Sequence, residues 1–276
     1  MFDTDGSGVM ARSDIDGALA LVTGAGSGIG EQTAIALASR GARVLCTGRN
    51  AEAAEKTAAT CREAGPQAAS YRLDVTDRRG MEVLAAQVAA EHGDVDINNA
   101  GVGMSGRFTD VTADDWEWIR SVNLDGVVNG CAVFAPGMLA RGRGHIVNLS
   151  SRLAYLYPRT EPVYVATKAA VLALSRSLRV DFAQHGVTAI CPGITNPPIV
   201  DKTRYLGSQA DEKVRARSKR LFNRGHTPTK VATAIVQAIE RDRSVVPVGF
   251  EAWLGWWFNR YLSLRAQQAI GKLPLS

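Results

Sequence analysis

Tyr164 and Lys168 stand four residues apart in EPVYVATKAAV, the segment from Glu161 to Val171. On a helix, residues i and i+4 share a face, so a phenol and an ammonium would lie side by side. A free tyrosine ionises near pH ~10, and a neighbouring ammonium favours the phenolate, each unit of depression corresponding to ~1.4 kcal/mol. Such a phenol can give or take a proton at an oxygen atom, which typically contributes ~10²–10⁴-fold to a rate. Pro162 suits the first turn of the helix that would carry the pair. Alone, a tyrosine and a lysine at this spacing are most often helix surface. Upstream, however, LALVTGAGSGIGEQTAIALASRG reads as strand, glycine turn and helix. Its Gly24, Gly28 and Gly30 would let the backbone approach a pyrophosphate at the positive end of the helix. The turn sits in the first strand-helix unit, where a dinucleotide fingerprint belongs.

The elements that must position these residues alternate along the chain. Strands are predicted near Ala18 to Thr23, Arg43 to Thr47, Ala68 to Leu73 and Val95 to Asn98, then near His145 to Leu149, Val187 to Cys191 and Ser244 to Pro247. Ala-rich segments such as AAEKTAATCREAG lie between them and close on glycine, as helices often do. This alternation predicts right-handed crossovers and a Rossmann-like, doubly wound α/β fold: a seven-stranded parallel sheet with helices on both faces. At 276 residues one core suffices, and residues 16–249 are expected to form a single domain. Residues 199–230 break the rhythm with a basic insertion that could close over a substrate or form a solvated helix pair.

Composition excludes several classes. Lys and Arg number 32 against 27 Asp and Glu, a charge of +5, too slight to imply nucleic-acid binding though favourable to an anionic cofactor. Cys46, Cys61, Cys131 and Cys191 are scattered, with no CxxC pair or His cluster, so no metal site or disulfide framework is expected and a reducing cytoplasm fits. The N-terminus lacks the basic residues of a signal peptide, and no apolar run reaches the ~18 residues of a membrane span. Asp3, Asp5, Ser7, Gly8 and Asp14 mimic a calcium loop. No entering helix precedes them, so residues 1–15 are expected to be a flexible leader.

The turn from Thr23 to Gly30, NNAG at Asn98 to Gly101, VNLDG at Val122 to Gly126, Ser151, YVATK at Tyr164 to Lys168 and CPG at Cys191 to Gly193 resemble the short-chain dehydrogenase/reductase family, in that family's order. The resemblance runs from about Asp16 to Pro247 and implies an oxidoreductase that interconverts an alcohol and a ketone with a nicotinamide cofactor. It implies Tyr164 as acid/base, Ser151 as hydrogen-bond donor to the substrate oxygen, Lys168 as partner of Tyr164 and of the nicotinamide ribose, and Asn123 as holder of a relay water. Ser151 rather than Ser150 has the family spacing, thirteen residues before Tyr164. On the cofactor side it implies Gly24, Ser27, Gly28, Ile29 and Gly30 at the pyrophosphate. Asp74, with Val75, would sit at the adenine, and Asn99, Ala100 and Gly101 along the adenosine. Pro192, Gly193 and Thr195 would lie near the nicotinamide.

In dinucleotide folds an acidic residue after the second strand binds the ribose 2′-OH, whereas a basic one accommodates a 2′-phosphate. Here Gly48 takes the position that is acidic in NAD-using relatives, and Arg49 follows. A guanidinium can bind a phosphate through two hydrogen bonds, so NADP(H) is favoured over NAD(H). The sequence also departs from the family. VDINNAG is about two residues shorter than the usual VDILVNNAG, and HGVTAICPG is similarly shortened. Loss of two residues preserves the alternation of strand faces but requires a later start or a tighter loop. Pro197 replaces a threonine that holds the nicotinamide carboxamide in relatives, a place Thr195 could fill.

RLAYLYPRTEPV, between Ser151 and Tyr164, is where relatives contact substrate, so Tyr155 and Tyr157 suggest a bulky apolar alcohol or ketone. In the tail, residues 250–276, Phe250, Trp253, Leu254, Trp257, Phe258, Tyr261 and Leu264 recur at helical intervals. Such a stripe packs against the body or a partner subunit of a homodimer or homotetramer, lies at a membrane interface through residues 250–265, or walls a greasy pocket. Two rivals to the dehydrogenase reading are a Rossmann-fold sensor or scaffold without turnover and a reductase docked in a lipid-modifying assembly.

Overall fold

A computed structural model of the protein describes residues 15–93, 95, 104–183, 185–196 and 203–272. The acidic segment from Asp3 to Asp14 lies outside the described residues. So do Asp96 to Asn98 of the fourth expected strand, the motif residues Asn99, Ala100 and Gly101, and Pro197.

The first half runs β1 (Leu19–Thr23), α1 (Gly28–Ala38), β2 (Arg43–Gly48), α2 (Ala51–Ala64), β3 (Ala68–Arg72), α3 (Arg78–Glu91) and the short β4 (Met104–Ser105). The middle holds α4 (Ala113–Arg120), α5 (Gly126–Arg141), β5 (His145–Leu149), α6 (Pro162–Asp181) and β6 (Gly186–Pro192). The rest comprises β7 (Arg204–Tyr205), α7 (Glu212–Asn223), α8 (Pro228–Glu240), β8 (Val245–Val248), α9 (Phe250–Tyr261) and α10 (Leu264–Lys272). Six of the seven expected strands are present within a residue or two of their predicted bounds. Side-chain caps fix several helix starts: Asn50 accepts from Ala53 N–H on α2, and Asp77 from Gly80 N–H on α3.

All pairings between the described strands are parallel. They form two three-stranded sheets, β1-β2-β3 and β5-β6-β8, and a two-stranded pair, β4-β7. The two larger sheets share their cores. Ala20, Val22, Val44 and Cys46 join Val147, Ile190 and Val248 under α1, α2 and α8. The alternate residues Leu19, Leu21 and Leu45 join Ile146 and Val187 under α3, α5 and α6. The period of two along each strand therefore sends side chains into an apolar layer on either face, the three-layer Rossmann-like α/β arrangement the alternation predicts. β1 and β6 are buried throughout, which explains why LALVT and GVTAICP are nearly continuous apolar runs.

The shortened HGVTAICPG leaves its strand intact, paired with β5 on one side and β8 on the other. Before the strand, Ala183 adopts φ +30, a conformation that side chains with a Cβ rarely take. The run from Ala113 to Arg141 is long and apolar enough to cross a membrane by length and composition, but half of that apolar window is buried in the fold. Inside it, a π turn over Ser121–Asp125 separates α4 from α5.

The tail is helical as expected, but its aromatic stripe is not buried against the body. Ala252 and Gly255 face inward, Gly255 so closely that a Cβ there would meet the Leu156 side chain at 2.8 Å. Trp256 packs edge-on against Tyr155, with ring centroids 5.3 Å apart. The remaining aromatics of α9 face outward.

Candidate active site

The glycine turn follows β1 and opens α1. Gly24 and Gly28 have φ of +67 and +61, the left-handed region where a Cβ is strained. A Cβ on Gly30 would stand 2.4 Å from the Gly24 carbonyl oxygen, so only glycine allows the helix to start this close to the turn. The Thr57 hydroxyl donates to the Ala25 carbonyl at 2.9 Å and ties the turn to α2. Ser27 precedes α1 without a side-chain cap, leaving the first N–H groups of the helix to a ligand. The buried Thr23 hydroxyl beneath the turn has no hydrogen-bond partner among the described residues.

This turn lines a cavity of about 640 Å³. Gly24, Ser27, Gly28, Ile29 and Gly30 line one part of it, followed by Arg49 at the end of β2 and Asp74 with Val75 after β3. Asp74 accepts from both the N–H and the hydroxyl of Thr76 through one carboxylate oxygen. Pro192, Gly193 and Thr195 line it from the end of β6. These positions are the carboxyl ends of parallel strands, where open α/β sheets bind ligands.

Ser150, Ser151, Tyr164 and Lys168 line the same cavity. The two serines differ in what they do. The Ser150 hydroxyl donates to the Lys168 carbonyl at 2.8 Å and fastens β5 to α6, whereas the Ser151 hydroxyl accepts from the Leu153 N–H at 3.1 Å and acts on the Tyr164 phenol, whose pKa it lowers. Lys168 is almost wholly buried; its ammonium donates to the Leu149 carbonyl at 2.9 Å and lies 5.8 Å from the Tyr164 ring centroid. Burial lowers its pKa to about 8. Burial also pushes the Tyr164 phenol well above the usual tyrosine range, with the Ser151 hydrogen bond opposing it. This corrects the expectation that Lys168 depresses the phenol: in the protein alone desolvation outweighs the opposing Ser151 and Arg152, and the phenol is held protonated. Asn123 sits in the π turn, buried, behind the cavity wall that Val122 lines. Its Nδ2 donates to the Thr167 hydroxyl at 3.4 Å, which donates to the Tyr164 carbonyl at 2.8 Å.

The sequence model for short chain dehydrogenases matches residues 18–205. The chain belongs to the short-chain dehydrogenase/reductase family. "Probable oxidoreductase EphD" of Mycobacterium tuberculosis is 40% identical over 254 residues, covering 88% of this chain and 43% of that protein. The chain thus spans less than half the length of that relative. "Uncharacterized oxidoreductase Lin0452" of Listeria innocua is 32% identical, with 82% of this chain and 91% of that protein covered. A short chain dehydrogenase/reductase from Burkholderia phymatum in complex with NAD superposes with a TM-score of 0.81 at 29% identity, over 95% of this chain and 98% of that one. Members of the family use NAD(P)(H), and this chain has residues placed to hold such a cofactor. The Gly24–Gly30 cradle, the start of α1 without a side-chain cap and the orphaned Thr23 hydroxyl fit a pyrophosphate. A Cβ at Gly48 would meet nothing within 4 Å, which leaves space beside Arg49.

Tyr155 and Tyr157, expected at the substrate, do not line the cavity. The Tyr155 hydroxyl donates to the Ala252 carbonyl at 2.9 Å, and the Tyr157 hydroxyl accepts from Asn259 at 3.1 Å. Both side chains bind the loop to α9 instead of lining the cavity. The loop instead presents Arg152, Leu153, Pro158, Thr160 and Glu161 to it. Arg152 and Glu161 escaped the sequence reading, since a charged residue in a loop carries no signal of enclosure. Burial raises the Glu161 carboxyl to about 7, with Arg152 opposing the shift. The insertion contributes Thr203, Tyr205, Gln209, Ser218, Leu221 and Phe222 to the same cavity. β7, paired in register with β4, anchors it there.

Proposed function

We propose that this dehydrogenase/reductase interconverts a secondary alcohol and a ketone on a bulky, largely apolar substrate, with NADP(H) preferred to NAD(H). One observation carries the reading: Ser151, Tyr164 and Lys168 line the same cavity as the glycine turn and Arg49. Oxidation and reduction at a carbinol carbon require both a hydride partner and a proton partner within one enclosure. A nicotinamide bound on the cradle supplies or takes the hydride. The Tyr164 phenol, held protonated, gives its proton to the carbonyl oxygen, while the Ser151 hydroxyl stabilises the charge developing there. Lys168, with a water held by Asn123, would return the proton to Tyr164, and the Thr167 hydroxyl, bonded to the Tyr164 carbonyl, holds the Asn123 amide in place. Leu153, Pro158, Tyr205, Leu221 and Phe222 offer an apolar wall to the substrate, and Arg152 with Glu161 a polar corner. The four cysteines are free and buried, compatible with a reducing cytoplasm.

Tyr164→Phe tests the assignment. Turnover of a ketone panel with NADPH should fall by ~10²–10⁴-fold while cofactor affinity stays the same. Turnover retained in the variant would remove Tyr164 from the role. Cofactor binding by the unaltered protein, with no turnover of any ketone or alcohol, would favour the sensor or scaffold instead.

A further inference from the structure

We propose that the outer face of α9, with the start of α10, docks on the surface of an anionic phospholipid membrane. Phe250, Trp253, Trp257, Tyr261 and Leu264 follow one another at helical spacing, and they are 72%, 50%, 47%, 64% and 68% exposed. The rings of Trp253, Trp257 and Tyr261 form one continuous surface: Trp253 and Trp257 have centroids 6.1 Å apart, and Trp257 and Tyr261 4.4 Å. A contiguous apolar patch of this kind on a soluble domain marks an interaction site.

The charges around the patch select the occupant. Arg260 and Arg265 are exposed on the same helices, and Arg159 is exposed on the loop that Tyr157 and Asn259 tie to α9. Between Phe250 and Lys272 the only acidic residue is Glu251. Its carboxylate is turned into the fold, where it accepts from Ile194 N–H at 2.9 Å and bonds His226 at 3.1 Å. The face is therefore aromatic and cationic with no exposed carboxylate on its own segments. Tryptophan and tyrosine beside arginine suit the headgroup boundary of a bilayer, where each ring has an apolar body and a polar edge. A two-fold contact with a second copy fits poorly, because it would bring these arginines together with nothing acidic on the face to pair them. Anionic headgroups supply that missing charge.

The placement gives docking a consequence. Leu156 and the two tyrosines hold α9 on the loop whose other residues, Arg152, Leu153 and Pro158, line the cavity. A bilayer against α9 would lie next to the substrate end of the cleft and could deliver an apolar ketone or alcohol from the lipid.

Vesicle flotation of the full chain tests this without reference to turnover. The protein should float with vesicles containing phosphatidylglycerol, remain below with pure phosphatidylcholine, and release from the former as salt is raised. The double variant Trp253→Ala/Trp257→Ala should lower the partition coefficient by about tenfold or more, and Arg260→Glu/Arg265→Glu should abolish the preference for the anionic lipid. These side chains are exposed, so unchanged thermal unfolding would show that the variants remain folded. Failure to float with anionic vesicles, or flotation indifferent to both double variants, would overturn the proposal. So would concentration-dependent self-association in sedimentation velocity that Trp253→Ala/Trp257→Ala abolishes, since the face would then belong to a second copy.

Discussion

Arg49 is exposed at the end of β2 and forms no ion pair with any described residue. A guanidinium left uncommitted at the rim of a nucleotide cleft can give both its hydrogen bonds to a phosphate. Arg49→Ala should therefore raise KM for NADPH by about tenfold or more, the range of a charged hydrogen bond, and change KM for NADH by no more than about twofold. Equal effects on the two cofactors, measured by initial rates, would remove the phosphate contact. At this scale the sequence reading did best where spacing fixed the outcome. Ser151 and Tyr164 line one cavity because one follows β5 by two residues and the other lies on the first turn of α6. It did worst where the direction of a side chain mattered. Tyr155 and Tyr157 belong to α9, while Arg152 and Glu161, in the same loop, belong to the cleft. No one-dimensional pattern in a loop separates the two faces.

The loop between α6 and β6 shows how an element tolerates a shorter sequence. Strand β6 must keep its register because all seven of its residues are buried, and a slip of one residue would turn its apolar face to the wrong layer. The strain is therefore moved outside the strand, onto Ala183 at φ +30. Ala183→Gly should raise stability by ~0.5–1 kcal/mol, relief of the left-handed strain being only partly offset by a more flexible unfolded chain. The check is a shift of the urea midpoint to higher concentration at unchanged m. A lower midpoint would mean that the alanine sits there without strain. The strands and helices of the Rossmann-like layers were legible because period two and period 3.6 differ sharply along these segments. The rotation of α9 was not. An aromatic stripe reveals a helix, but which side faces the body depends on small residues such as Ala252 and Gly255 that let the helix approach Leu156.

For the molecule as a whole, enclosing charge in the cleft makes stability depend on pH. Glu161 has its carboxyl raised from 4.5 to about 7 by burial. Between those values the folded protein holds a proton that the unfolded chain has released, so stability falls as pH rises through this window. Lys168 acts at higher pH with the opposite sign. Its amine, lowered from 10.5 to about 8, has lost its proton in the fold while the unfolded chain retains it, so stability rises between those values. His145, buried and lowered to about 4, also adds stability as pH rises towards 6.5 and masks part of the Glu161 effect in the unaltered protein. The difference between two proteins removes that masking, because His145 and Lys168 titrate alike in both. Glu161→Gln keeps the shape but cannot ionise. Its stability relative to the unaltered protein should climb from pH 4.5 to pH 7 by at most about 1.4 kcal/mol per unit, the limit for one proton, and level off above. The attraction to Arg152 acts only on the ionised carboxylate and is already contained in the carboxyl's value of about 7. Urea unfolding of both proteins at a series of pH values measures the curve. A difference that stays flat across that window would show that Glu161 ionises in the fold as it does in water, and that the cleft is open to solvent at that wall.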